Sequence, residues 1–331
     1  MAESNRIDYI DLAKGFCILL VVLNHANVLS GDLDYLMRDA LCAMRMPLYF
    51  FLSGLFFKPY ESYMGFLKRK VNKLLIPFLF FRIISCLITP LVSGKSVEWF
   101  RMWDFLVGPM HAPNTPIWFL ICLFVLNQIF YGIYKIANYT REPLIALIFL
   151  SLLLGVAGYY SGKTGFSIRP MNISTAMTAI PFFCVGYLFK SHTSILYPNR
   201  WDKYLVIVSI GCAIYTWAFA KSADYFTNYY GGDIWATYSC GITGILCVLF
   251  ISKKIGHLPL ISYFGRYSIM ILVTHLPIIQ RILPLMARFG YSPWFNILGC
   301  SLVVMLSCLF LIPVMKKYLP YVTAQKDVIP I

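Results

Sequence analysis

Apolar runs of about 20 residues recur along this chain from one end to the other, and few architectures can absorb them. At about 1.5 Å per residue, such a run crosses the roughly 30 Å hydrocarbon core of a bilayer as a helix. The 331 residues are 59% hydrophobic and 13% charged, with mean hydropathy +0.71; a soluble domain carries about a quarter charged residues. The pattern predicts an all-α polytopic transmembrane helix bundle of about ten spans. They fall near 9–29, 39–57, 73–93, 116–137, 143–161, 173–190, 203–221, 234–252, 260–283 and 294–315. Together they use nearly all of the sequence, so residues 1–331 read as one membrane-embedded domain with no soluble catalytic module.

Charge sets the orientation. The net charge of +14 accompanies no nucleic-acid motif, and loops rich in Lys and Arg at the cytoplasmic face account for it. With ten spans, most Lys and Arg fall on one side, including Lys58, Lys68, Arg69, Lys70, Lys73, Lys253, Lys254, Lys316 and Lys317. That asymmetry predicts both termini in the cytoplasm. Arg82 and Arg266 fall within spans instead. The ten cysteines sit mostly inside apolar runs and form no CxxC pair, so they read as small buried hydrophobes. The histidines show neither HxxxH nor HxH spacing, which gives no metal signal. The first span has no convincing cleavage site after it and reads as a retained signal anchor.

That first span, RIDYIDLAKGFCILLVVLNHANVL, is interrupted by Asp11, Lys14 and His25. Lys14 and His25 are eleven residues apart, close to three helical turns, so they share one side, and Asp11 lies one turn before Lys14. Charged and imidazole side chains facing lipid cost several kcal/mol, so the stripe must face protein or a wet cavity. A neutral His25 can act as a general base toward an attacking hydroxyl; it can also simply hydrogen-bond a neighbouring helix. Lys14 and Asp11 can orient it or bind a substrate anion. Equally, Lys14 can be a topology anchor and Asp11 a first-turn acid favoured by the helix dipole.

Three further stretches carry candidates. In KRKVNKLLIPF, residues 68–78, the cluster Arg69, Lys70 and Lys73 can hold phosphates. Taken alone, the cluster reads more economically as topology-setting charge or contact with anionic lipid heads. In MRMPLYFFLSGLFF, residues 44–57, small residues suit close helix packing, and Arg45 either snorkels or points inward at a substrate. In YFGRYSIMILVTHLP, residues 263–277, Arg266 and His275 are nine residues apart, about 180° off on one helix, and His275 is structural or lines the cavity. His111 and Trp118 flank the start of the fourth span, whereas His192 and His257 read as solvated. The aromatic loops 93–115 and 222–233 either shape a substrate cleft or form an interfacial belt.

The order of these elements resembles the membrane acyltransferase family 3, integral-membrane O-acyltransferases of surface glycans. The opening Asp11, Lys14-Gly15 and His25 match its first pattern. MPLYFFLSGLFF, RKVNKLLIPF, PIWFL (116–120), IPFFCVGYLFK (180–190) and FGRYSIMILVTHLP (264–277) resemble its later landmarks. Departures are Lys at 14, 70 and 73 where members often have Arg, Arg45 in place of a common His, and Met270 in place of a common Tyr. A soluble esterase-like domain that some members append is missing, implying transfer without it or hand-over to a separate protein.

The resemblance implies an acyl-CoA co-substrate, usually acetyl-CoA, with no permanently bound cofactor. Arg69, Lys70 and Lys73 would hold its phosphates while the pantetheine arm reaches toward His25. It implies a glycan or glycolipid acceptor; with it, the residues above are read as catalytic His25, Asp11 and Lys14, and as substrate contacts Arg45, Trp118 and His275. It also implies residence among the lipids of a bacterial inner membrane; a homodimer is compatible with it. The contrasting reading is a transporter or flippase for a glycan or lipid-linked precursor, since buried charges also mark transport pathways. No related halves with paired interrupted helices are visible. A receptor or scaffold would leave the first-span stripe unexplained.

Overall fold

The structure, a computed structural model, describes residues 7–30, 35–92, 96–108, 110–111, 113–190, 197 and 200–330. Arg6, the loop residues 93–95 and His192 lie outside the described residues. The fold is helical, with α1 Asp8–Ser30, α2 Tyr35–Leu55, α3 Tyr63–Lys70, a π-helical segment Val71–Leu75, α4 Ile76–Val92, α5 Trp118–Ala137, α6 Pro143–Lys163 and α7 Ile173–Phe189. It continues with α8 Leu205–Phe219, α9 Ile234–Ile255, α10 Pro259–Arg266, α11 Ser268–Ala287 and α12 Pro293–Tyr318. Among the described residues, nine helices are long and apolar enough to cross a bilayer. The span expected at 39–57 is α2, which is helical throughout but carries three charged residues, Arg38, Asp39 and Arg45, and is not among the nine.

Two compact units divide the chain. One comprises Met1–Tyr49, His192–Ser222 and Trp235–Ile312; the other comprises Phe50–Ser191, Ala223–Ile234 and Pro313–Ile331.

In the first unit, α1 packs along α10 and α11. Two glycines allow that approach. A Cβ at Gly15 would lie 2.1 Å from the Ile261 carbonyl oxygen, and one at Gly265 would lie 1.8 Å from the Asp11 carbonyl oxygen. Both obstacles are backbone, so neither can swing aside. Gly265→Val should therefore cost about 2–3 kcal/mol and lower the thermal midpoint in detergent, whereas an unchanged midpoint would show that the two helices can part freely.

The apolar run expected as one span over 260–283 is two helices, α10 and α11, broken at Tyr267 with φ −111° and ψ 25°. Hydrophobic periodicity cannot register a one-residue break between apolar segments. Arg266 consequently ends α10 as an exposed residue, and the single-helix angle between Arg266 and His275 does not apply.

In the second unit, α7 packs against α5 and α6. Here Gly54 and Gly186 bring helices together, since a Cβ at either would fall 1.9 Å from a carbonyl oxygen, of Phe183 and Phe51 respectively. The buried Phe57 sits edge-on to Phe66, Phe130, Tyr134, Phe183 and Tyr187. The run expected to begin at 73 is helical from Tyr63, where the Ser62 hydroxyl caps it by accepting from Gly65 N at 3.1 Å.

The aromatic stretch 222–233 forms a short antiparallel hairpin, β1 Ala223–Asp224 and β2 Tyr229–Tyr230. Its pegs are Thr175 Oγ1 donating to Tyr225 O at 2.7 Å, Asn172 Nδ2 to Phe226 O at 2.8 Å and Tyr159 OH to Gly232 O at 2.7 Å.

Candidate active site

The first unit gathers a polar group around His25. Because α1 runs unbroken from Asp8 to Ser30, the expected stripe holds, with Lys14 about 16 Å from His25 along the axis. Asp11 and Lys14 pair with each other, Nζ to Oδ1 at 4.0 Å, and Tyr49 OH donates to Lys14 O at 3.4 Å. That separation leaves the orientation of His25 to other groups.

His25 is half-buried, and its ring is met by His275 of α11, centroid to centroid 5.1 Å with planes at 49°. His275 is fully buried. Its Nδ1 lies 2.9 Å from Ile271 O; a carbonyl can only accept, so Nδ1 carries the proton. In the neutral ring Nε2 is then a bare lone pair, buried and without a hydrogen-bond partner among the described residues.

Arg45 supplies the charge of this group and meets α1 at Asn24, the neighbour of His25 in the chain. It is buried. With the Asn24 amide assigned from the hydrogen-bond network, the Asn24 oxygen accepts from Arg45 Nη1 at 2.9 Å and Nη2 at 3.1 Å. Nη2 also reaches Cys42 Sγ at 3.2 Å, and the Cys17 thiol donates to Arg45 O at 3.0 Å. Among the described residues no carboxylate neutralises Arg45, so the guanidinium is held by neutral groups and its positive potential is retained. A fixed positive charge beside an imidazole pair in a low-dielectric setting can stabilise a developing oxyanion while the imidazole accepts a proton. Asn24 was missed in the sequence, although a polar residue beside His25 inside an apolar run is itself a signal. The buried Asn27 was missed as well, and its side-chain amide has no partner among the described residues.

The second unit holds the basic cluster. Arg69 is exposed, with its guanidinium 5.0 Å from the Tyr60 ring centre, and Lys70 is half-buried, its ammonium 5.5 Å from that of Phe66. Lys73 is committed to the C-terminal segment, pairing with Asp327 at 2.9 Å and donating to Ala324 O at 2.9 Å. The cluster straddles the π-helical Val71–Leu75, where Ile76 N bonds back to Val71 O. Pro77 explains it. Proline has no N–H to offer the Lys73 carbonyl, and its ring would clash there, so the helix widens. The widened turn holds Asn72, fully buried, whose side chain accepts from Val328 N and Ile329 N and donates to Ile329 O.

Trp118 is buried against Phe119 and 5.8 Å from the Phe226 ring centre. In the same unit, Arg82 and Asp104 form a buried ion pair, and Arg82 also donates to Met102 O at 3.2 Å and Arg101 O at 2.5 Å.

A family model described as an acyltransferase domain matches residues 7–312. No curated protein and no solved structure matches the chain.

Proposed function

Since this chain belongs to acyltransferase family 3, a membrane acyltransferase family, we propose that it moves an acyl group, acetyl in the first instance, from acyl-CoA to a hydroxyl of a cell-surface glycan or glycolipid precursor. The observation that carries this reading is the imidazole pair of His25 and His275, set beside Asn24, which holds the guanidinium of Arg45 that no carboxylate neutralises among the described residues. In the proposed reaction His25 takes the proton of the acceptor hydroxyl as its oxygen attacks the thioester carbonyl carbon. The new C–O bond forms, negative charge gathers on the carbonyl oxygen, and Arg45 opposes it. The C–S bond then breaks, and the departing thiolate receives the proton from the His25 imidazolium. His275 offers its free Nε2 to a donor on the substrate or on His25 once that ring is charged. Lys14, paired with Asp11, binds a substrate anion.

Phosphates of the donor are assigned to Arg69 and Lys70. Lys73, held by Asp327, adds positive charge beside them. Acetyl-CoA binding and slow thiol release by the purified protein in nanodiscs test the reading. Replacing Arg69 and Lys70 together by Gln is expected to raise KM for acetyl-CoA about 10- to 100-fold with little change in kcat, the mark of lost ground-state binding. Absence of acyl-CoA binding in every lipid composition would overturn the donor assignment.

A further inference from the structure

The second unit contains a cavity of about 240 Å³ between the start of α7, the hairpin tip and the segment around His111. Its walls are fixed. Asn228, left-handed at φ 57°, donates to Gly158 O, Ser161 Oγ and Ser167 Oγ at 3.0–3.2 Å and accepts from Thr178 Oγ1 and Tyr230 OH at 3.1 and 3.0 Å. One wall is aromatic, Phe226 backed by Trp118. Ser167 and Thr227 complete the lining, their hydroxyls already bonded to Asn228 and Asp224.

Two side chains give the cavity its chemistry. His111 is held by Asp104, whose Oδ2 accepts from His111 N at 2.9 Å and lies 3.4 Å from Nδ1; Asp104 is in turn fixed by the buried Arg82. Nε2 is the ring nitrogen away from that carboxylate and can bond a ligand hydroxyl. Arg169 lines the cavity, and its side chain pairs with no carboxylate among the described residues. The nearby carboxylates are occupied, Asp104 as above and Asp224 by Phe226 N and Thr227 Oγ1. A concave site with an uncompensated guanidinium, an imidazole and one aromatic face selects a compact hydroxylated ring bearing an anionic group.

We propose that this cavity binds a single acidic sugar ring, with its carboxylate on Arg169, a ring hydroxyl on His111 Nε2 and its C–H face on Phe226. The site lies wholly within the second unit and does not depend on the assignment of His25.

The test is ligand-observed NMR or calorimetry on the full chain in nanodiscs, using methyl glucuronide, methyl glucoside and inorganic phosphate as probes. Glucuronide should bind at least about 10-fold more tightly than the neutral glucoside, since charge-assisted hydrogen bonds are the stronger ones. Arg169→Gln, a change at an exposed position, should erase that preference, and His111→Phe should weaken both sugars several-fold. Equal binding of the two glycosides, or an Arg169→Gln variant that keeps the preference, would overturn the proposal. Phosphate binding as tightly as glucuronide would also overturn it, by showing an anion site without a ring subsite. Matching thermal midpoints of the variants and the parent chain confirm that the readout is binding.

Discussion

A His25→Ala variant should remain folded and bind acyl-CoA, yet lose acyl transfer by about 10²- to 10⁴-fold, the range that a positioned general base contributes. Retention of fold follows from its surroundings. His25 is only half-buried and makes no hydrogen bond to His275, so its removal strands no partner among the described residues. The loss should fall on kcat, with KM for the donor nearly unchanged, because the proton is taken in the transition state and not on binding. Full activity in the Ala variant would remove His25 from the chemistry. It would shift attention to His275, whose free Nε2 is the other lone pair of the group.

The second large effect is on stability. Asp104→Ala should destabilise the second unit by about 3–5 kcal/mol, because it strands the buried Arg82 guanidinium in a low-dielectric setting. Replacing both partners by apolar residues, Arg82→Met with Asp104→Leu, should recover much of that loss. Thermal unfolding in detergent measures both. A single variant within about 0.5 kcal/mol of the parent chain, the range of an ordinary surface substitution, would show that water or another group replaces the carboxylate.

The sequence discloses these features unequally, for physical reasons. The α1 stripe is legible because a polar residue in a span is costly wherever it points, and helical spacing then fixes its direction. The helical class is legible because backbone groups in lipid must be satisfied locally. Arg82 is visible as a charge in a span, but Asp104, 22 residues away, is not visible as its partner. That pairing depends on how the intervening loop folds back. The meeting of His25 with His275 is likewise set by tertiary packing, of α1 against α11, which no local pattern announces. The break at Tyr267 leaves hydropathy untouched. The π-helical turn did have a local signal in Pro77, since a proline deep in a helix must displace a carbonyl somewhere upstream.

That turn behaves as one residue more than a regular helix would hold. Seen along the axis, Val71–Leu75 retards the phase of everything after it relative to Arg69 and Lys70. Deleting one residue within it would restore the ordinary pitch at about 100° per residue and rotate the basic cluster against α4 without removing any charge. The angular setting of the cluster is thus encoded separately from its composition, and a shortened chain could keep every Lys and Arg of the motif while aiming them elsewhere.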